Sequence, residues 1–231
     1  MFNPVYNPNV TPEMVRMSMN YLIASLFVIY VGGDKIIQMK GKTEQDTMLQ
    51  STKIMTWISA SILSAGTMNI VWNTEMAIND VSKLCLMLIA LLSSLCMYID
   101  MRVKIIPNML LLPMLILATI FHILNGGLMA VLSGVVALFI AVYGLIGITK
   151  LFGYMGQFGA GDIKMFGIGM FLFATSFIGM MGMLCGFIAS MFLSVGSLLA
   201  TKQITLKSMM PFGPFIGIGM ILGIIAQTYI H

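Results

Sequence analysis

Charge is what this chain has least of. Only 9% of its 231 residues are Asp, Glu, Lys or Arg, against about 25% in a soluble domain. Hydrophobic residues make up 59%, and mean hydropathy is +0.99. A soluble globular domain is excluded. The composition is that of a polytopic membrane protein with little mass outside the lipid bilayer. Cysteine is scarce as well: Cys85, Cys96 and Cys185 lie inside apolar runs, without CxxC or metal-ligand spacing. They read as small core hydrophobes, and neither a metal nor another cofactor is expected. The two histidines, His122 and His231, and the serines form no nucleophile–base set. Residues Met1 to Thr11 carry no charge and no apolar run followed by a small-residue cleavage site, so a secretory signal peptide is not expected. The net charge of +4 is no nucleic-acid footprint, and its distribution points to membrane orientation instead.

What is present is a series of apolar stretches of spanning length, about 20 residues each. The first runs from roughly Val15 to Gly32, and the polar stretch Asp34 to Lys53 follows it. Further spans are predicted at about Ile54–Trp72, Leu84–Ile99, Pro107–Leu124 and Leu128–Thr149, the last two separated by the turn Asn125-Gly126-Gly127. The uncharged run after Asp162 is too long for one helix, so it is divided at Ala174–Ser176 into a sixth and a seventh span. Pro211 to Ile230 is the eighth. The expected fold is therefore all-α and polytopic, with about eight transmembrane helices. Residues 1–33 form an N-terminal segment with the first span, 34–53 a short cytoplasmic loop, and 54–231 a transmembrane core.

Lysine and arginine set the orientation. With eight spans, Lys35, Lys40, Lys42, Lys53, Arg102, Lys104, Lys150, Lys164, Lys202 and Lys207 fall on one side, and only Arg16 and Lys83 on the other. The ten-cation side is assigned to the cytoplasm, which leaves both termini outside. Joining spans six and seven would move Lys202 and Lys207 across and weaken this bias.

This topology brings two of the eight acidic residues, Asp100 and Asp162, to the cytoplasmic ends of their helices. Ionisable residues at such places point to function, and each needs a partner. Two carboxylates brought together in a low dielectric cannot both ionise easily, so they share one proton. The ionised member can take a proton from water and the protonated member can donate to a carbonyl oxygen. Other readings of the same residues stand beside this one. Asp162, after Gly159-Ala160-Gly161, suits a helix N-terminus, and Asp100, near Arg102 and Lys104, suits a solvated interfacial site.

The segment Asp100-Met-Arg-Val-Lys-Ile-Ile-Pro107-Asn108, with Pro113 beyond, resembles the first motif of the type IV prepilin peptidases. Gly159-Ala160-Gly161-Asp162-Ile163-Lys164 is similar to their second, GxGDxK, and Met210-Pro211-Phe212-Gly213-Pro214-Phe215 to a Pro-Phe-Gly-Pro-Phe element near the C-terminus of bacterial members. The resemblance covers about Leu84 to the end, with the motifs in the family's order. It implies a membrane aspartic endopeptidase that removes a short basic leader from prepilin or pseudopilin precursors at the cytoplasmic face of the cell membrane. Asp100 and Asp162 would be the catalytic pair. Gly159 and Gly161, free to take positive φ, would shape the loop presenting Asp162. Pro107 and Asn108 would start the next helix and hold the Asp100 loop. Lys164 matches a motif position, acting electrostatically on Asp162 or as an anchor at the headgroups.

Two departures are informative. Many bacterial members carry a zinc-binding domain between their first two spans, associated with methylating the new N-terminus. Here Asp34 to Lys53 is short and has no cysteine, so peptidase activity without methylation is expected. Arg102 stands where many bacterial members have another Asp, which leaves acid and base roles within the pair open. A presenilin-like protease also uses GxGD, but its Tyr-Asp is one residue out of register with Tyr98-Ile99-Asp100, and its Pro-Ala-Leu is missing. A proton-coupled transporter would use buried aspartates too, but it usually shows internal repeats, and none is found.

Overall fold

A computed structural model describes residues 12–39, 50–74, 78–151, 159–200 and 212–229. All of the regular structure among these residues is helical: α1 Pro12–Phe27, a π-helical turn Val28–Gly32, α2 Gly33–Met39, α3 Gln50–Asn73, α4 Asp80–Val103, α5 Asn108–Leu151, α6 Ala160–Leu172, α7 Phe177–Ala200 and α8 Gly213–Tyr229. The polar residues 40–49, much of the Gly-rich loop (152–158), the connector 201–210 and Pro211 lie outside the described residues, as do both terminal tips.

Among the described residues, four stretches are long and apolar enough to cross a membrane: Arg16–Met39, Thr52–Asn73, Asp80–Val103 and Asn108–Gly147. The fourth is 40 residues long, about 60 Å if straight, which is twice the hydrocarbon thickness. It is not straight. Gly127 has φ 62° and ψ −155°, a conformation that excludes most side chains, and the chain turns there. The two arms of α5 run along α6 in opposite senses. On the first, Asn108 meets Lys164 and His122 meets the carbonyl of Phe171. On the second, Gly134 abuts the Phe171 ring, and Leu138 and Val142 face Gly167. The expected turn at Asn125-Gly126-Gly127 is thus where the chain reverses.

The division of the long uncharged run also has a physical basis. The α6 helix ends at Leu172, and Ser176 opens α7 by accepting the Gly179 N–H on its hydroxyl at 3.1 Å, a side-chain cap of the kind that starts helices. Helices extend past the apolar stretches elsewhere. The first span continues through Asp34 to Met39, and α4 runs on to Val103.

The central helix is α4, with 72% of an apolar 18-residue stretch buried, against 17% for the corresponding stretch of α5. The α7 and α8 helices pack on glycines: a Cβ at Gly219 would come within 2.6 Å of the Met183 carbonyl, and one at Gly223 within 2.7 Å of the Gly179 carbonyl. Such small-residue faces let helices approach closely where lipid supplies no hydrophobic drive. Helix α8 also crosses α4, where Gly217 leaves room for Met97 and Ser93 donates to the Met220 sulfur at 3.7 Å. That crossing carries Gly213 to Asp100. Cys85 and Cys96 are buried as expected, whereas Cys185 is exposed on α7. It faces outward from the bundle and is not a core residue.

Candidate active site

The expected loop around Asp100 is a helix. Asp100 lies in the last turn of α4, 3% exposed, and the helix closes with the Lys104 N–H donating to the Asp100 carbonyl at 2.8 Å. Lys104 takes the left-handed conformation, φ 54°, the one positive φ outside glycine among the described residues. That is a costly position for a residue with a Cβ, and it turns the chain toward Ile105, Ile106 and Pro107. Pro107 is buried just ahead of α5, which opens at Asn108, as its fixed φ and missing N–H suit. The carboxylate of Asp100 is held from elsewhere: its Oδ2 accepts the backbone N–H of Gly213 at 2.9 Å. A Cβ at Gly213 would lie 2.8 Å from that oxygen, so only glycine lets the start of α8 approach this closely.

Asp162 is not on a bare loop edge. It is the third residue of α6 and 8% exposed. Its Oδ2 accepts the Gly159 N–H at 3.0 Å, the reach-back of a helix-capping carboxylate. Its Oδ1 is buried and has no hydrogen-bond partner among the described residues. An orphaned buried oxygen is costly and calls for an explanation. The capping reading and the chemical reading are therefore both realised, one on each oxygen.

The glycines act through space rather than through positive φ. Gly159 has φ −66°, and Gly127 is the one described glycine with positive φ. At Gly161 a Cβ would sit 2.9 Å from the Ile106 Cβ and 3.0 Å from its carbonyl oxygen. Gly161 thus lets α6 start against the segment that follows Asp100.

Both carboxylates line one pocket of about 300 Å³, together with Lys104, Asn108, Gly159, Gly161 and Lys164. At about 30 Å³ per water, the space is that of about ten waters. Lys164 donates to the Asn108 Oδ1 at 3.1 Å, bridging the two motifs across the pocket rim. Arg102, by contrast, does not line this pocket. It pairs with Asp34 on the opposite side of α4. Of the site residues expected from the sequence, Asp100, Asn108, Gly159, Gly161, Asp162 and Lys164 line this pocket, and Pro107 lies in the chain between its lining residues Ile106 and Asn108. The sequence reading missed Gly213 as a donor to Asp100, and Lys104. The Pro-Phe-Gly-Pro-Phe element was the available signal for the first, and the second has no local signal.

The profile of the type IV leader peptidases matches residues 85–201, half of the chain. The chain belongs to the type IV leader peptidase family. No curated protein and no solved structure matches it. Membership makes this leader peptidase family protein a protease, and with its apolar helices a membrane protein. The matched segment includes Asp100 and Asp162, but α1 to α3 and α8 lie outside it. The site geometry of this family member depends on one of those outer elements, since Gly213 belongs to α8.

Proposed function

We propose that this protein is an aspartic endopeptidase that cleaves the basic leader from type IV prepilin or pseudopilin-like precursors, using Asp100 and Asp162 to activate water. The observation that carries the reading is the shared pocket: two buried carboxylates from distant motifs line it, and one of them presents an unpartnered oxygen. Two carboxylates in such a space hold one proton between them. The ionised one removes a proton from the water as it attacks the scissile carbonyl, and the other donates to the developing oxyanion. On collapse the proton taken from water passes to the leaving amine, and a hydroxyl proton of the intermediate returns to the second carboxylate as the carbonyl re-forms. No covalent intermediate is needed.

In this reading the eight spans place the pocket at the cytoplasmic face of the cell membrane, with both termini outside. Support comes from the cation bias and from the chain reversal at Gly127, which gives α5 two arms. Residues 34–53 serve as a short connection at the cytoplasmic side, with Asp34 to Met39 continuing the first helical stretch, and 54–231 as the peptidase core. A precursor with a basic leader keeps that leader inside by the same rule, so its scissile bond comes to the face where the pocket opens. Methylation of the product is not part of the proposal, because the short 34–53 segment leaves no place for a methyl-donor site.

The test is co-expression with a prepilin-like precursor, read by gel shift and by mass spectrometry of the mature N-terminus. The expected result is a released leader, an unmethylated product, and no processing by Asp100→Asn or Asp162→Asn. Normal processing by either variant overturns the pair, and a methylated product overturns the restriction to peptidase activity.

A further inference from the structure

Behind Asp100, on the far side of α4, lies a second polar cluster that the pocket does not use. Arg102 Nη1 donates to Asp34 Oδ1 and, at 2.8 Å, to the Tyr98 hydroxyl. The guanidinium carbon lies 5.2 Å from the Tyr98 ring centroid, and the Tyr98 hydroxyl is 3.4 Å from the same Asp34 oxygen. Gly33 leaves the room for that ring, since a Cβ there would come within 2.6 Å of it. The three polar groups line a cavity of about 200 Å³ with Tyr30, Lys53 and Trp57. Asp34 and Arg102 both fall within stretches apolar enough to span a membrane. Charges there are expensive and are kept for function or as pairs.

Helix geometry says what this pair does. At 100° per residue, Tyr98 and Arg102 are about 40° apart, and Asp100 points about 180° from the direction midway between them. The last turn of α4 is therefore held on its back by α2 and on its front by the Gly213 N–H. Ile99 and Val103 are packed in the core, but apolar packing is not directional, and these two polar contacts fix how far the turn can roll about the helix axis. A roll of about 20° moves a side chain some 6 Å from the axis by about 2 Å, and a 1 Å misplacement can cost about 10²-fold in rate.

We infer that Asp34 and Arg102 are positioning residues: gripped with Tyr98, they fix the rotation of the last α4 turn that aims Asp100 into the pocket. The inference rests on the peptidase reading above. It makes α2, which lies outside the family-matched residues, part of the working machinery.

The test has a kinetic arm and an arm independent of activity. Asp34→Asn and Arg102→Gln, in the full-length protein in lipid nanodiscs, are expected to lower kcat about tenfold or more with KM changed less than about twofold. The double variant should be no worse than either single one, because the two residues act as a unit. Asp34→Glu, which keeps the charge, should recover much of the loss. In hydrogen exchange, Asp34→Asn should speed exchange of amides 100–104 about tenfold and leave the Gly179 amide of α7 unchanged. Wild-type kcat in Asp34→Asn, losses that appear in KM or add in the double variant, or no recovery in Asp34→Glu overturn the inference. So does exchange that is unchanged at 100–104 or raised equally in every helix. If the wild type itself processes no precursor, the peptidase reading falls, and the exchange arm still decides whether Asp34 holds the α4 turn.

Discussion

Asp100 closes a helix and Asp162 opens one. Asp100 comes at the end of 24 residues of α4 and takes its hydrogen bond from Gly213, 113 positions away. Asp162 takes its hydrogen bond from Gly159, three positions away, within its own helix start. The first carboxylate is set by tertiary structure and the second by local capping. A perturbation of the bundle should therefore disturb Asp100 first, while Asp162 keeps its geometry as long as α6 begins where it does.

The largest expected effect removes this difference altogether. Asp100→Asn and Asp162→Asn should each cut precursor processing by at least about 10³-fold, since an acid–base group contributes about 10²–10⁴ and in the proposed mechanism the two act as one unit. The double variant should be no slower than the worse single one. A kinetic assay on purified protein decides it, and unequal, additive losses would mean that the carboxylates act separately.

The second effect separates the two holding modes. Gly213→Ala places a Cβ 2.9 Å from the Asp100 Cβ and 2.8 Å from its Oδ2, so either α8 or the Asp100 side chain must shift. Activity should fall about 10²-fold, the cost of roughly 1 Å of misplacement. Gly159→Ala meets only the Asp162 Oδ2, at 3.0 Å, with backbone angles that alanine accepts. Its loss should stay within about tenfold, because the N–H donor survives. A Gly159→Ala loss as large as that of Gly213→Ala would show that Asp162 is held no less delicately than Asp100.

The same contrast marks what the sequence could reveal. GxGD is a local unit, so Asp162 and its glycine were legible as a capped helix start. The turn at Gly127 was legible because Asn-Gly-Gly between two apolar runs has few alternatives. The break between α6 and α7 followed from length, with Ser176 there to cap. The tertiary contacts were not legible. Nothing near Asp100 announces Gly213, since that contact depends on α8 crossing α4 at Gly217 and Met97. Arg102 looked like a neighbour of Asp100 by sequence distance, but two residues along a helix is just over half a turn, and it faces Asp34 instead. The glycines at 159 and 161 suggested positive φ, whereas the requirement at 161 is room beside Ile106.

A smaller effect tests whether local capping matters away from the pocket. Ser176→Ala removes the hydroxyl that accepts the Gly179 N–H and should cost about 1 kcal/mol of stability, with processing at permissive temperature unchanged. Thermal unfolding in detergent measures the first and the precursor assay the second. Lost processing at unchanged stability would tie the α6–α7 turn to the site, against the view that local caps serve only their own helix.

The smallest effect lies at the rim, where Lys164 meets Asn108 at an exposed position. A bridge of this kind contributes about 0.5–1 kcal/mol at most, so Lys164→Met and Asn108→Ala should each change processing by no more than about fivefold, and the pair together by no more than either alone. The comparison still sharpens here. The bridge ties the first turn of α6 to the first turn of α5, so it spans the segments that follow Asp100 and carry Asp162. If its loss slows processing as much as Gly213→Ala does, the relative placement of the two carboxylates depends on the rim, and the hold of α8 on Asp100 is only half of the arrangement. If the loss is small, the two carboxylates are each fixed from within the bundle, and the lysine serves the mouth of the pocket rather than its floor.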